Sequence, residues 1–283
     1  MMTGEEGAAR VQLEASLAAC AAAGELPSSR FVQDPASEAT ASLAMVSWVT
    51  GRPVEARALA RKAVALATAR RHALSEVTAL YSAAIVHSLA GEFDAVHALT
   101  EQLYEVLRRD ETPGSRGGFA WMHGRALAAL GQVDEGLAEM RAAAETHARL
   151  GSRMGLASYH FHYAQACRLA RRLAEARTMV EAGLPLAEHN EHMLHSPLLL
   201  ERAELHAAAG ETAAADACLT RAIAVAREQD AVFYELTALA SAQRLGAPSA
   251  NTDRLRALLA RYEGDPSPAI AAARAVLDRG PAS

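Results

Sequence analysis

Aromatic residues are scarce in this sequence, at 5% of 283 residues, and runs of β-branched residues are nearly absent. Both classes of residue are enriched in strands, so their scarcity argues against an extended sheet. About a quarter of the residues are alanine, which has the highest intrinsic helix propensity. The composition therefore predicts an all-α protein.

An excess of positive charge is also missing, because the formal net charge is −5. A nucleic-acid-binding surface needs clustered Lys and Arg to neutralise phosphates, so we predict no nucleic-acid partner. The apolar stretches are interrupted by charge before they reach about 18 residues, and the N-terminus MMTGEEGAAR begins acidic rather than basic. We expect neither a membrane span nor a secretory signal, and a cytoplasmic location.

Cysteine is rare, and no CxxC pair is present. Cys20, Cys167 and Cys218 are an odd number with no metal-binding spacing, which argues against a disulfide framework or a zinc finger. We interpret them as small apolar residues of a helical core.

Short breaks between apolar-periodic segments recur with a nearly fixed period, typical of a solenoid. They lie at Gly51, Gly91, Gly131, Arg171 and Gly210, spaced by 40, 40, 40 and 39 residues. Small residues stand seven positions before each break, at Ala44, Ala84, Gly124, Ala164 and Ala203. Small residues also stand five positions after most breaks, at Ala56, Gly136, Ala176 and Ala215, with Val96 the poorest fit.

This pattern predicts pairs of antiparallel helices that cross closely beside a tight turn, where larger side chains would force the backbones apart. Glycine suits the left-handed residue that ends many helices, and Pro53 follows the first break where the next helix begins. The predicted first helices are 36–50, 74–90, 117–130, 153–170 and 194–209, and the second helices are 53–70, 93–109, 133–149, 173–187 and 212–228. A looser sixth pair follows at 231–245 and 251–262.

Three regions are predicted along the chain. Residues 1–32 form an N-terminal amphipathic helix and linker, 33–263 form the repeat array, and 264–283 form a C-terminal capping helix, at 267–279, and a tail. The polar segment 108–118 joins the second and third pairs and is expected to be mobile, but the period crosses it, so we place no domain boundary there.

The segments GRALAALGQVDEGLAEM and ADACLTRAIAVAREQD resemble the tetratricopeptide (TPR) regions at the C-terminal end of bacterial signalling proteins. In those proteins the repeats follow a STAND-type ATPase and are joined to a nucleotide cyclase or a LuxR-type DNA-binding domain. The resemblance covers about 33–245 and implies a right-handed superhelix of five to six TPR-like pairs. Because GxxxxGK[ST], a cyclase-like region and a basic helix-turn-helix are all missing, it implies neither catalysis nor DNA binding.

In TPR arrays the first helix of each pair lines the concave face, and counting back from each break gives the groove positions that the resemblance implies. An aromatic ladder of Tyr81, Trp121 and Phe161 runs across three successive pairs, beside Arg and Gln. Such a groove would suit an apolar peptide or a small molecule with an acidic group. The predicted groove residues are Met45, Trp48, Tyr81, Ile85, Trp121, Arg125, Phe161, Gln165, Arg168 and Glu204.

Two sets of residues are candidate chemical sites, a group of histidines and a group of titratable side chains. His189, His192 and His195 have spacings of three, which would suit a metal site only if the helix continued through the junction between pairs four and five; we predict no metal. His123, His160, His162, Tyr163 and Glu204 are the candidates for acid–base work, but no motif of a known catalytic class is present. We predict no catalytic residues and no cofactor.

The sequence leaves several functions open. The first hypothesis is a regulatory scaffold or adaptor that binds a protein segment in its concave groove, and the second is a small-molecule sensor that uses the same groove. A third is a biosynthetic enzyme on a repeat scaffold. An open channel would favour the peptide and a closed pocket the small ligand. Alanine-rich outer faces and the N-terminal helix also predict a homo-oligomer.

Overall fold

The computed structural model describes residues 5–24, 33–110, 119–149, 151 and 155–278. Within those ranges the chain forms fourteen α-helices and no β-strand. The helices are α1 (Glu6–Ala23), α2 (Pro35–Val49), α3 (Pro53–Arg70), α4 (Ala73–Ala90), α5 (Phe93–Arg109), α6 (Ala120–Ala129), α7 (Val133–Arg149), α8 (Leu156–Leu169), α9 (Leu173–His189), α10 (His195–Ala208), α11 (Thr212–Glu228), α12 (Val232–Leu245), α13 (Thr252–Ala260) and α14 (Pro268–Asp278). A 3₁₀ turn, His192–Leu194, precedes α10.

The helices α2 to α13 form six consecutive antiparallel pairs, and each pair packs against the next. Their bounds agree with the predicted helices to within about three residues, within the usual uncertainty of helix ends. The predicted TPR-like solenoid is therefore confirmed. Helix α14 follows the sixth pair, and α1 precedes the first. The segment 108–118 lies mostly outside the described residues, as does most of the linker before α2.

All five predicted breaks adopt the left-handed backbone conformation, with φ between 59° at Arg171 and 94° at Gly131. A very close helix crossing lies in the third pair, where Gly124 of α6 faces Gly136 of α7. A Cβ atom at Gly124 would lie 2.6 Å from the carbonyl oxygen of Gly136, and one at Gly136 would lie 2.2 Å from that of Gly124. This contact confirms the close crossing that the repeat pattern predicts.

The two ends of the array meet. The Tyr262 hydroxyl, beyond α13, donates to the carbonyl of Trp48 at 2.8 Å, and Arg261 donates to the carbonyl of Thr50 at 2.7 Å. The ring of Trp48 packs on those of Phe233 and Tyr262, with centroids 5.8 and 6.0 Å apart. The six pairs thus close into a ring, since the first pair contacts the last across more than 200 residues of sequence.

Two more elements strengthen this closure. The N-terminal end of α14 packs beside Gly91, at the end of α4, so the capping helix also touches the second pair. Helix α1 packs along α2, where Arg10 donates to Ser47 at 3.0 Å and to the carboxylate of Glu55 at 2.8 Å. The backbone N–H of Glu6 donates to the carbonyl of Gln229 at 3.2 Å, so α1 also bridges to the end of α11.

One helix among the described residues, α4, is by its length and composition apolar enough to cross a membrane. Just over half of it, 56%, is buried inside the protein, where it packs against α2, α3 and α5. Its apolar character is therefore that of a core helix.

Candidate functional site

The ring encloses a cavity of about 560 Å³ on the concave side of the array. Every first helix from α2 to α12 contributes to its wall, together with the 3₁₀ turn and the start of α14. Because small side chains sit at the crossings of each pair, the larger apolar side chains of the first helices project into the middle of the ring. The lining is mostly aromatic and aliphatic, as ligand pockets usually are.

Seven of the ten predicted groove residues lie on this wall: Met45, Tyr81, Ile85, Trp121, Arg125, Phe161 and Gln165. They come from four successive first helices, α2, α4, α6 and α8. The register counted back from each break thus brings together residues that are up to 120 positions apart in the sequence.

The other three predicted groove residues lie elsewhere. Trp48 is fully buried in the closure contact rather than on the wall. Arg168 lies behind the wall, where its guanidinium donates to the carboxylate of Glu201. Glu204 accepts from Arg244 at 2.6 Å and also from Ser241, and so links α10 to α12.

The predicted aromatic ladder forms part of a larger aromatic wall. Tyr81 contacts Phe119 edge-to-face, with ring centroids 5.0 Å apart. Trp121 lies against Gly155, where a Cβ atom would be 3.1 Å from the indole. A glycine at the start of α8 therefore leaves room for the indole ring. Phe161 completes the ladder on α8. An aromatic surface of this kind suits flat or extended apolar groups.

Arg125 is the buried cation of the wall, with 9% of its surface exposed. Its Nε donates to Gln165 Oε1 at 3.0 Å, and its guanidinium lies 4.4 Å from the centre of the Phe93 ring. Its Nη1 is buried and has no hydrogen-bond partner among the described residues. Burial lowers the pKa of Arg125 to about 10, so the side chain is still charged at neutral pH.

Glu201 is the acidic residue of the wall, and it is already paired. Its carboxylate accepts from Nε and Nη2 of Arg168, and it is 3% exposed. Burial raises the pKa of Glu201, and the positive charge of Arg168 opposes that shift. The charge of Glu201 also acts on Arg125, but its carboxylate is engaged by Arg168, and Arg125 forms no ion pair among the described residues.

Two histidines add polar nitrogen atoms to the cavity. The Nδ1 atoms of His147 and His162 are buried and have no hydrogen-bond partner among the described residues. Burial, with a smaller effect of the nearby Arg125 charge, lowers the pKa of His162 to about 3. His162 is therefore neutral at physiological pH and offers hydrogen bonds without a second positive charge.

The five acid–base candidates do not converge. Only His162 lies on the wall; the Tyr163 hydroxyl instead donates to Glu175 at 2.6 Å and accepts from Arg141 at 2.7 Å. His160 and Glu204 are not part of the lining, and His123 faces α5 and α7. Of the five candidates, the wall therefore offers His162 alone for acid–base work.

The junction histidines also remain separate. His189 ends α9 and its Nδ1 lies 2.8 Å from the Pro185 carbonyl, whereas His192 is in the 3₁₀ turn and His195 begins α10. Their ligand atoms do not form a metal-binding group in the part of the chain that the structure describes. The change from α9 to the 3₁₀ turn removes the continuous helix that their spacing would need.

Several wall residues were not predicted from the sequence. Phe233, Tyr234 and Thr237 come from α12, in the sixth pair, where no break fixed the register. His147 comes from a second helix, which the groove rule does not cover. Phe119, Met122 and His162 lie one or two positions from predicted residues, so a wider window around each would have found them. The groove rule also does not cover wall residues that lie outside the first helices, such as Phe93, Met193, Leu194 and Ala269.

No family model and no curated protein sequence matches the chain. Among solved structures, the chain is similar to TPR-like repeats from a Podospora anserina protein described as a kinesin light chain. The sequence identity is 21%, and the alignment covers 66% of this chain and 92% of that one with a TM-score of 0.43.

Proposed function

We propose that this protein binds a small, largely apolar molecule with an anionic group inside its ring. The observation that carries the proposal is a buried Arg125 on the wall of a cavity of about 560 Å³, whose Nη1 has no hydrogen-bond partner within the described part of the chain. A buried donor without a partner costs about 1–3 kcal/mol, and a ligand anion would satisfy it. Arg is also the residue best suited to bidentate binding of a carboxylate or phosphate.

Ring closure supports a small ligand rather than a peptide. A peptide in a TPR groove needs an open channel that it can enter and leave at both ends. Here the contact of Trp48 with Phe233 and Tyr262 joins the two ends of the array around the cavity. The cavity volume also falls within the range of about 300–1,000 Å³ that is usual for small-molecule sites.

Protein interaction remains the common role of TPR-like folds, and a partner would then bind the outer faces of the ring. As part of the same proposal, the protein acts in the cytoplasm as a regulatory component, in line with the signalling proteins that its sequence resembles. The ligand would be the signal, and the ring the element that responds to it.

Two fluorescent probes test the anion preference. Anilinonaphthalene sulfonate and phenylnaphthylamine share the same aromatic rings, and only the first carries an anionic group. We expect both to bind the wild-type cavity and the sulfonate to bind more tightly. A hydrogen bond to a charged group contributes about 1.5–3 kcal/mol, so Arg125→Met should weaken sulfonate binding about 10- to 100-fold. Phenylnaphthylamine affinity should change little.

Arg177→Met is the matched control, because Arg177 is exposed and its partner is Glu211 on the outer surface. It removes one positive charge without touching the cavity and should leave both affinities unchanged. If both variants lose the same sulfonate affinity, the loss comes from the change in net charge and not from contact with Arg125. A wild-type protein that does not distinguish the two probes would contradict the proposed anion site.

A further inference from the structure

A second polar cluster lies between the second and third pairs, away from the cavity. His97 and Glu101 are four residues apart on α5, and His123 is on α6. Residues at this spacing share one face of a helix. The ligand atoms of the three side chains all lie within 4.8 Å of one another. None of the three residues lines the cavity.

A carboxylate of α7 fixes the orientation of the His123 ring. Its Nδ1 lies 2.6 Å from Glu139 Oε2 on α7, and Glu139 Oε1 accepts from the Tyr104 hydroxyl at 2.7 Å. A carboxylate accepts, so Nδ1 carries the proton and the lone pair of a neutral ring is on Nε2. A carboxylate that holds the remote nitrogen of a histidine in this way is the usual outer support of a metal ligand.

The lone-pair side of His123 points at the other two residues. Nε2 is buried and makes no hydrogen bond among the described residues, although Glu101 Oε1 is 3.2 Å away. Two acceptor atoms at this distance repel each other unless a proton or a cation lies between them. The His97 ring stacks on the His123 ring with centroids 5.1 Å apart, which brings a second imidazole to the same point.

We propose that His97, Glu101 and His123 bind a divalent transition-metal ion, with zinc the best match to their donor atoms. Two ligands about 2.0–2.1 Å from a tetrahedral zinc ion are about 3.3 Å apart, close to the distance between His123 Nε2 and Glu101 Oε1. Two imidazoles and one carboxylate are a common zinc donor set, and water would fill the fourth position.

The surroundings suit a metal that exchanges with solvent. His123 is 7% exposed, whereas His97 is half-buried and Glu101 is exposed, so the site opens to the surface on one side. Because its ligands come from α5 and α6, the ion would tie the second pair to the third. These helices are joined by the segment 111–118, so the metal would act as a second link between them.

Chelator-treated protein would be titrated with zinc by calorimetry and with cobalt(II) by visible absorption, since tetrahedral cobalt reports its coordination directly. We expect one ion per chain and a rise in melting temperature. His97→Ala and Glu101→Gln should each weaken binding at least about tenfold, and Glu139→Gln should weaken it about 10- to 100-fold through the orientation of His123. Affinity should also fall at acidic pH as the histidines protonate.

His206→Ala is the control, because His206 pairs with Glu211 and, within the ranges that the structure describes, belongs to no cluster of three possible metal ligands. It should leave zinc affinity unchanged. Melting curves without metal show that each variant folds. The proposal is overturned if the wild-type chain binds no zinc, or if His97→Ala and Glu101→Gln bind it as tightly as wild type. In the first case the three side chains hold no metal; in the second the metal is bound elsewhere.

Discussion

Closure of the ring makes a prediction that an open solenoid does not. In an open array each repeat contacts only its neighbours, so a mutation in the last pair leaves the first pair unaffected. Tyr262 is fully buried, its hydroxyl donates to the Trp48 carbonyl, and its ring lies 6.0 Å from Trp48 and 6.1 Å from Phe233. Replacing it should therefore loosen α2, at the opposite end of the sequence.

Two substitutions separate the hydrogen bond from the packing. Tyr262→Phe removes one neutral hydrogen bond and should cost about 1 kcal/mol, because the Trp48 carbonyl keeps its bond from the Gly51 N–H. Tyr262→Ala also removes the buried ring and should cost about 3–5 kcal/mol. Urea denaturation measures both values.

Hydrogen exchange of the native protein locates the effect. In Tyr262→Ala we expect faster amide exchange in α2, α12 and α13, and smaller changes in α6 to α9. Tyr163→Ala is the comparison, since Tyr163 is equally buried but lies in α8, and its effect should centre on α8 and α9. If Tyr262→Ala leaves exchange in α2 unchanged, the ends do not hold each other and the cavity is an open groove.

Two other predictions concern packing and pH. Gly124→Leu should destabilise the fold by about 3 kcal/mol or more, because its side chain would meet the Gly136 backbone; Gly210→Ala, with open space around it, should cost only about 1 kcal/mol, and equal melting temperatures would contradict the crossing. Burial, with a smaller effect of Asp230, raises the pKa of Glu6 to about 7, so the stabilising contribution of neutral Glu6 is complete below about pH 4 and is lost as the pH rises through 7. Glu6→Gln should remove this loss, which is on the order of 3 kcal/mol. The measurement is the free energy of unfolding at pH 5 and at pH 8, and the prediction is wrong if Glu6→Gln loses as much stability between them as the wild type.

The pair-level structure could be predicted because it depends on short-range sequence. A left-handed residue at each turn and a small residue on either side of it fix the geometry of one helix pair, as Gly124, Gly131 and Gly136 show. The same register places Tyr81, Trp121 and Phe161 ten positions before their breaks, and Met45, Ile85, Arg125 and Gln165 six positions before theirs. All seven lie on the cavity wall, so the register within a single pair was enough to predict them, without knowledge of how one pair packs on the next.

Closure could not be predicted, because it is the sum of small rotations between six successive pairs. Trp48 stands three positions before its break, as Ser88 does, and Ser88 lines the cavity. The two residues have the same place in the repeat and different surroundings only because the last pair arrives beside the first. Contacts between successive pairs are also hidden from local spacing. His97 and Glu101 are four residues apart on one helix, but the sequence does not show that His123 of the next pair approaches them.

Ring closure and the proposed ligand binding are thermodynamically linked. The wall combines Met45 from the first pair with Phe233 and Tyr234 from the last, so a ligand that touches both ends binds the closed ring better than the open one. The ligand shifts the equilibrium between the open and the closed ring by the ratio of its affinities for the two states. Opening the ring must weaken ligand binding by the same factor. The residues of the closure contact, Trp48 and Tyr262, would therefore control affinity without touching the ligand. A TPR-like array whose ends meet can in this way report a small molecule through its outer faces, where protein partners would bind.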